Sequence, residues 1–232
     1  MKIALLGYGK MGKVIEKIAL ERGHTIVLKK SSTDSFEGLE NADLAIDFSV
    51  PNSAVNHITE CLNKNIPVIC GTTGWLEDYD KMELLCKERN GSFIYGSNFS
   101  LGVNVFFELN RQLAKMMQNL KQYNVTMEEV HHTQKLDTPS GTAISLANGI
   151  IQNSDKTNWS SKKEENSIYI DAKRIENVPG THSVFYDSEV DQIEIKHTAH
   201  SREGFALGSV IAAEWLLGKK GVFTMKDVLG LQ

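Results

Sequence analysis

The feature that most restricts this chain is a glycine pattern at its very start. Gly7-Tyr8-Gly9-Lys10-Met11-Gly12 reads G-x-G-x-x-G and stands between an apolar run, Lys2–Gly7, and an amphipathic stretch, Met11–Arg22. In a strand–turn–helix setting the three glycines serve different purposes. Gly7 permits the tight turn, Gly9 lets backbone approach a pyrophosphate, and Gly12 allows helix and strand to pack closely. The helix N-terminus beyond them favours negative charge. A glycine turn without a ligand is the competing reading, and the strand–helix context weighs against it.

The same grammar continues. Apolar runs at Thr25–Leu28, Leu44–Phe48, Pro67–Cys70 and Phe93–Tyr95 alternate with helical stretches at Ser53–Lys64 and Leu76–Glu88, which predicts βαβ units and an α/β, Rossmann-type doubly wound parallel sheet. After Val103 the pattern changes to a long helix reaching about Leu120, a strand Tyr123–His131 and a helix opening near Ser140. A polar surface loop over Asn153–Asn166 follows, then strands Ser167–Ile175, His182–Tyr186 and Val190–His197, and an apolar helix Gly204–Leu217. The expected organisation is a dinucleotide-binding domain over 1–98, an α+β substrate and oligomerisation domain over 99–203, and C-terminal helices over 204–232 that return to the first.

Composition narrows the function classes. A 41% apolar share with 18 glycines and 23% charged residues describes a globular protein of 232 residues. The net charge of −4, with neither sign gathered into a run, disfavours nucleic-acid and anionic-membrane partners. No apolar stretch approaches the ~18–20 residues of a membrane span, and the N-terminal run is short for a signal peptide, so a cytoplasmic protein is expected. Cys61, Cys70 and Cys86 form no C-x-x-C pair, which speaks against a disulfide framework and a zinc knuckle.

Dinucleotide enzymes that take NAD place an acid at the end of the second strand, about 20 residues past the glycines. Here that place reads Leu28-Lys29-Lys30-Ser31-Ser32. Two lysines and two hydroxyls suit a 2′-phosphate, so NADPH is expected to bind at least as well as NADH; a solvated strand end is the plain alternative. Gly71-Thr72-Thr73-Gly74 and Asp47-Phe48-Ser49 each follow a predicted strand at the carboxyl edge of the sheet, where doubly wound folds bind ligands. A β-to-α turn with Thr73 as helix cap, and an Asp47 that only orients its loop, explain them equally well.

The segment richest in chemistry is Glu128 to Ala143, EEVHHTQKLDTPSGTA. Adjacent His131 and His132 leaving a strand point to opposite faces, a poor shared metal site, so no metal is expected. A histidine has the near-neutral pKa that a general acid needs, Lys135 lies just beyond, and Pro139-Ser140-Gly141-Thr142 opens a helix whose amides form an anion site. Together they describe a pocket for a small carboxylate; incidental histidines with an ordinary serine cap are the alternative.

At these motifs the chain resembles the 4-hydroxy-tetrahydrodipicolinate reductase family, also called dihydrodipicolinate reductases, of diaminopimelate and lysine biosynthesis. The resemblance runs essentially the whole length, through Gly7–Gly12, Asp47–Ser49, Gly71–Gly74, Ser97–Asn104, Glu129–Ala143, His197–Gly208 and Val222–Leu231. It implies His131 as catalytic acid with Lys135 as its partner, and His132, Ser140, Gly141 and Thr142 as the substrate carboxylate site. Gly7, Tyr8, Gly9, Lys10, Met11, Gly12, Asp47, Phe48, Ser49, Gly71, Thr72, Thr73, Ser97, Asn98 and Phe99 are the implied cofactor residues, with Arg202 and Phe205 near the hinge and closed site, while Lys29 joins them on the residue reading above and stands where the family has its ribose-binding acid. The implied reaction on a small cyclic dicarboxylate is loss of water, hydride delivery from NADPH or NADH at C4, and protonation at C3. A homotetramer is implied as well. Another NADPH-dependent dehydrogenase of amino-acid metabolism, or a nucleotide-sensing protein without catalysis, stays open on the residues alone.

Overall fold

The computed structural model describes residues 1–231. The chain divides into two compact units, Met1–Leu101 with the segment from Glu203 onward, and Gly102–Arg202. The first unit runs β1 (Lys2–Leu6), α1 (Lys10–Glu21), β2 (Thr25–Lys30), β3 (Leu44–Asp47), α2 (Pro51–Asn63), β4 (Val68–Cys70), α3 (Tyr79–Glu88) and β5 (Ser92–Tyr95). The second holds α4 (Leu101–Met117), β6 (Asn124–His131), α5 (Gly141–Ile151), β7 (Asn158–Ser160), β8 (Ser167–Arg174), β9 (Gly180–Asp187) and β10 (Gln192–Ala199). Helix α6 (Glu203–Leu216), strand β11 (Gly221–Phe223) and helix α7 (Met225–Leu229) then complete the first unit.

In the first unit six parallel strands lie in the order β11-β5-β4-β3-β1-β2. Side chains alternate across a strand, so each strand feeds two cores. Ile3, Leu5, Leu44, Ile46, Ile69 and Ile94 pack with Ile15 and Ala19 of α1 and with Ala206, Val210, Ala213 and Leu216 of α6. Their neighbours Ala4, Leu6, Ala45, Val68, Cys70 and Phe93 pack on the other face with Ala54, Ile58 and Leu62 of α2 and Met82 and Cys86 of α3. Helix α6 comes so close to the chain at Phe99 that a Cβ on Gly208 would lie 1.7 Å from the Phe99 carbonyl oxygen.

The second unit is a mixed five-stranded sheet, β10-β9-β6-β8-β7, with β6 parallel to β8 and antiparallel to β9. One face is covered by α4 and α5 through Phe106, Ala114, Leu146 and Ile150 against Val125, Met127, Ile168, Ile170 and Val184. The expected loop over Asn153–Asn166 contains β7, a three-residue edge strand paired with β8, whose polar sequence gives no alternation to read. Leu76–Asp78 is a 3₁₀ turn that precedes α3, and β11 adds a sixth strand in a tail expected to be helical. Among the described residues no helix is long and apolar enough to cross a membrane.

Candidate active site

In the first unit the glycine turn has the geometry its sequence requires. Gly7 has φ +95°, and a Cβ there would fall 2.2 Å from the Phe48 carbonyl oxygen; one on Gly12 would fall 2.4 Å from the Gly7 oxygen. At Gly9 a Cβ would meet nothing within 4 Å, so the turn is open there. No side chain caps α1 and no acid occupies its first turn, where Lys10 and Met11 lie, so its N-terminal amides are available to an anion. A pocket of about 300 Å³ beside the turn is lined by Gly7, Tyr8, Gly9, Lys30, Ser31, Ser32, Phe48, Ser49 and His57 among others. These observations fit the diphosphate and ribose of a dinucleotide.

The next two turns are tied together by one buried carboxylate. Asp47 accepts from Thr72 Oγ1 at 2.6 Å and pairs with His57 Nδ1 at 2.7 Å, while Ser49 N donates to Thr72 Oγ1 at 2.8 Å. The bond network leaves Thr73 exposed at the sheet edge. Gly71 makes room for the Phe48 ring, whose Cζ would be 2.3 Å from an added Cβ, and Phe48 in turn packs on Phe99. Phe99 is a core side chain, whereas Ser97 is exposed and Asn98 Oδ1 holds the Ser100 amide at 2.9 Å. Lys29 pairs with Glu16 at 2.5 Å, and Lys30 is buried with its ammonium on the Ser31 and Asp34 carbonyls, so neither lysine stands free at the strand end.

In the second unit the inward face of β6 passes from Val125 and Met127 to Glu129 and His131. A carboxylate with no exposed surface needs partners, because an isolated buried charge is very costly. Parallel pairing places Arg174 of β8 opposite His131, and antiparallel pairing places His182 of β9 opposite Glu129. Glu129 Oε2 meets His131 Nδ1, and Glu129 Oε1 accepts from Arg174 Nη2 at 3.0 Å and from Ser140 N at 3.1 Å. Ser140 caps α5 through Ala143 N at 3.2 Å and also bonds His182 Nε2 at 3.0 Å. Arg174 further holds the carbonyl of Asp137 at 2.7 Å and the Thr138 hydroxyl at 2.8 Å, fixing the loop that follows β6. The Lys135 ammonium lies 2.8 Å from Asp137.

Glu129, His131 and His182 bring donor atoms within 4.8 Å of one another, a spacing that a metal ion also accepts. The Arg174 guanidinium already supplies the positive charge to this carboxylate. Gly180 clears the surroundings of His131 Nε2, since a Cβ there would lie 2.9 Å from that nitrogen. Gly141 is exposed and Thr142 half-buried at the first turn of α5. His132 turns away from His131 and bonds Arg202 Nη2 at 3.3 Å, both lining a pocket of about 430 Å³. Phe205 is half-buried on α6 in the first unit. Glu129, Arg174 and His182 carry no expectation from the sequence; the strand's own alternation places Glu129 on the inward face and so calls for a cation from elsewhere.

Burial alone would raise the Glu129 carboxyl, but hydrogen bonds from His131 and Arg174 overcome it and hold the group at about 2. Burial pushes His182 down to about 3, and repulsion from His131 adds to it. Both shifts destabilise the fold in acid. Glu129 contributes stability that is lost as pH falls from the ordinary carboxylate range toward 2, and neutral His182 must gain a proton on unfolding anywhere between about 6.5 and 3. The urea midpoint should therefore fall as pH is lowered from 7 to 4. His182→Gln, which cannot titrate, should reduce the accompanying loss of unfolding free energy by about 2–3 kcal/mol. Parallel profiles for the two proteins would remove His182 from the account.

A parallel sheet with an open glycine turn, followed in the chain by a mixed-sheet unit that carries a held histidine and a helix N-terminus, places the chain among Rossmann-type oxidoreductases with a second, mixed-sheet unit. Models of the dihydrodipicolinate reductase N-terminus and C-terminus match residues 1–99 and 102–229, and the chain belongs to that family. A 4-hydroxy-tetrahydrodipicolinate reductase of Christiangramia forsetii is 58% identical over 233 residues, covering 99% of this chain and 98% of the relative. The Thermosipho africanus reductase of the same name is 34% identical over 232 residues, again covering 99% and 98%. Among solved structures, a dipicolinate-bound dihydrodipicolinate reductase from Paenisporosarcina sp. TG-14 has the same fold, with a TM-score of 0.79 at 20% identity over 98% of each chain.

Proposed function

We propose that this chain reduces 4-hydroxy-tetrahydrodipicolinate to tetrahydrodipicolinate in diaminopimelate and lysine biosynthesis, using NADPH at least as well as NADH. The family fixes the oxidoreductase class and the nicotinamide cofactor. What supports the assignment of roles is the pairing of His131 Nδ1 with a buried carboxylate, which orients the ring and leaves Nε2 as the atom that passes a proton to substrate. Glu129 and Arg174 are positioning residues. Lys135 exchanges Asp137 for the anionic substrate, and its charge stabilises electron density that builds on the ring. The amides of Gly141 and Thr142, at the α5 N-terminus that Ser140 caps, receive a substrate carboxylate, and His132 with Arg202 adds polar donors at the neighbouring pocket.

The first unit holds the cofactor through the Gly7–Gly12 turn and the Phe48–Ser49, Gly71–Thr73 and Ser97–Asn98 segments. When bound, the reduced nicotinamide supplies the hydride. A cytoplasmic location belongs to the same reading, and a homotetramer is supported by β10, an edge strand of the second sheet with much of its length exposed.

Purified protein with NADPH and freshly generated 4-hydroxy-tetrahydrodipicolinate should consume cofactor rapidly, and other amino-acid-derived substrates should not substitute. Thr142→Val, which keeps the backbone amide but removes the hydroxyl that joins it on the substrate carboxylate, should raise KM about tenfold with kcat nearly unchanged, because it perturbs ground-state and transition-state binding alike. Absence of turnover with that substrate would overturn the assignment.

A further inference from the structure

The second strand of the first unit ends where dinucleotide folds recognise the ribose, and in this chain the side chains there are already engaged by an acid from the neighbouring helix. Lys29 Nζ lies 2.5 Å from Glu16 Oε1 and stands 5.1 Å from the centroid of the Tyr8 ring. The Tyr8 hydroxyl donates to the other oxygen of the same carboxylate. Glu16 is the better covered partner, its side chain 18% exposed against 44% for Lys29. The bond to Glu16 holds the Lys29 ammonium above its usual range, so the charge on both partners is secure near neutral pH. The Lys30 ammonium is directed away from Glu16, onto the Ser31 and Asp34 carbonyls at 3.1 and 2.6 Å and against the Phe36 ring.

We propose that Glu16 sets the cofactor discrimination of this chain: its carboxylate occupies Lys29 in the place of a ribose 2′-phosphate, so NADPH must compete for the ammonium and NADH need not. This rests on the reading that the Gly7–Gly12 turn holds a nicotinamide dinucleotide. Glu16 and Lys29 together are neutral, so an incoming phosphate gains the attraction of Lys29 while meeting the repulsion of a carboxylate a few ångströms further on, and at such distances the two are comparable in size. A 2′-hydroxyl carries no charge, so it meets no comparable repulsion from the Glu16 carboxylate, whose oxygens are already bonded to Lys29 and Tyr8. Lys29 therefore confers a smaller preference for NADPH than a free lysine at the strand end would. Removing the charge of residue 16 releases the full preference.

The test measures binding rather than turnover. Dissociation constants of the full-length protein are determined for NADPH, NADH, ADP-ribose and 2′-phospho-ADP-ribose, the last two being unable to transfer hydride. Glu16→Gln should tighten NADPH and 2′-phospho-ADP-ribose about tenfold and leave NADH and ADP-ribose within about twofold. Glu16→Ala should show the same selective gain, so the outcome does not hang on one variant. The gain should shrink as salt is raised, and it should vanish when Lys29→Ala is combined with either variant. Equal changes for phosphorylated and unphosphorylated ligands, or a gain that survives loss of Lys29, overturns the proposal. Wild-type protein that binds none of the four overturns the dinucleotide reading itself, and the proposal falls with it.

Discussion

A chain ended after Arg202 is expected to lose nucleotide binding and solubility together. The missing segment carries Ala206, Val210, Ala212, Ala213, Leu216 and Met225, all buried against the first unit's sheet. Burying a Val, Leu or Met side chain is worth about 1.5–3 kcal/mol, and the truncation also uncovers Ile3, Leu5, Ile46, Ile69 and Ile94, each now 1% exposed or less. Against a total stability of about 5–15 kcal/mol, that loss is decisive. It also strips β11 from the edge of β5 and exposes a contiguous apolar face, which favours aggregation. Sedimentation and NADPH titration of the truncated protein are the measurements. A soluble monomeric fragment that binds NADPH as the whole chain does would contradict the role given to α6.

His131→Ala should lower kcat by roughly 10²–10⁴, the range of a positioned general acid, while leaving the NADPH dissociation constant within about twofold. The separation follows from where the residue stands: His131 is on β6 in the second unit, and the glycine turn is in the first. Its replacement also leaves Glu129 with Arg174 and Ser140 as partners, so the carboxylate stays compensated and the unit should stay folded. Glu129→Gln is the companion variant. It keeps the shape and removes the charge that orients the ring, so it should lower kcat less than loss of the imidazole does and should alter the pH profile of kcat. Near-normal kcat in His131→Ala, or loss of NADPH binding, would move the general-acid role elsewhere.

Elements whose physics is local can be read from the order of residues alone. The glycine turn, the alternating strands Lys2–Leu6 and Leu44–Asp47, and the helix opened by Ser140 all rest on φ, on side-chain period or on capping, which neighbours within a few residues decide. The motif around His131 was legible for the same reason, its residues being consecutive. The charges those residues meet depend on strand pairing across the fold. Arg174 reaches Glu129 because β8 runs parallel to β6, and His182 reaches Ser140 because β9 runs antiparallel on the other side, two pairings that no local pattern encodes. Lys29 illustrates the point at closest range. As a letter it is a cation waiting for a phosphate, but helix α1 lays Glu16 beside it. A charge's partner is set by which elements pack together, and packing is a property of the whole fold.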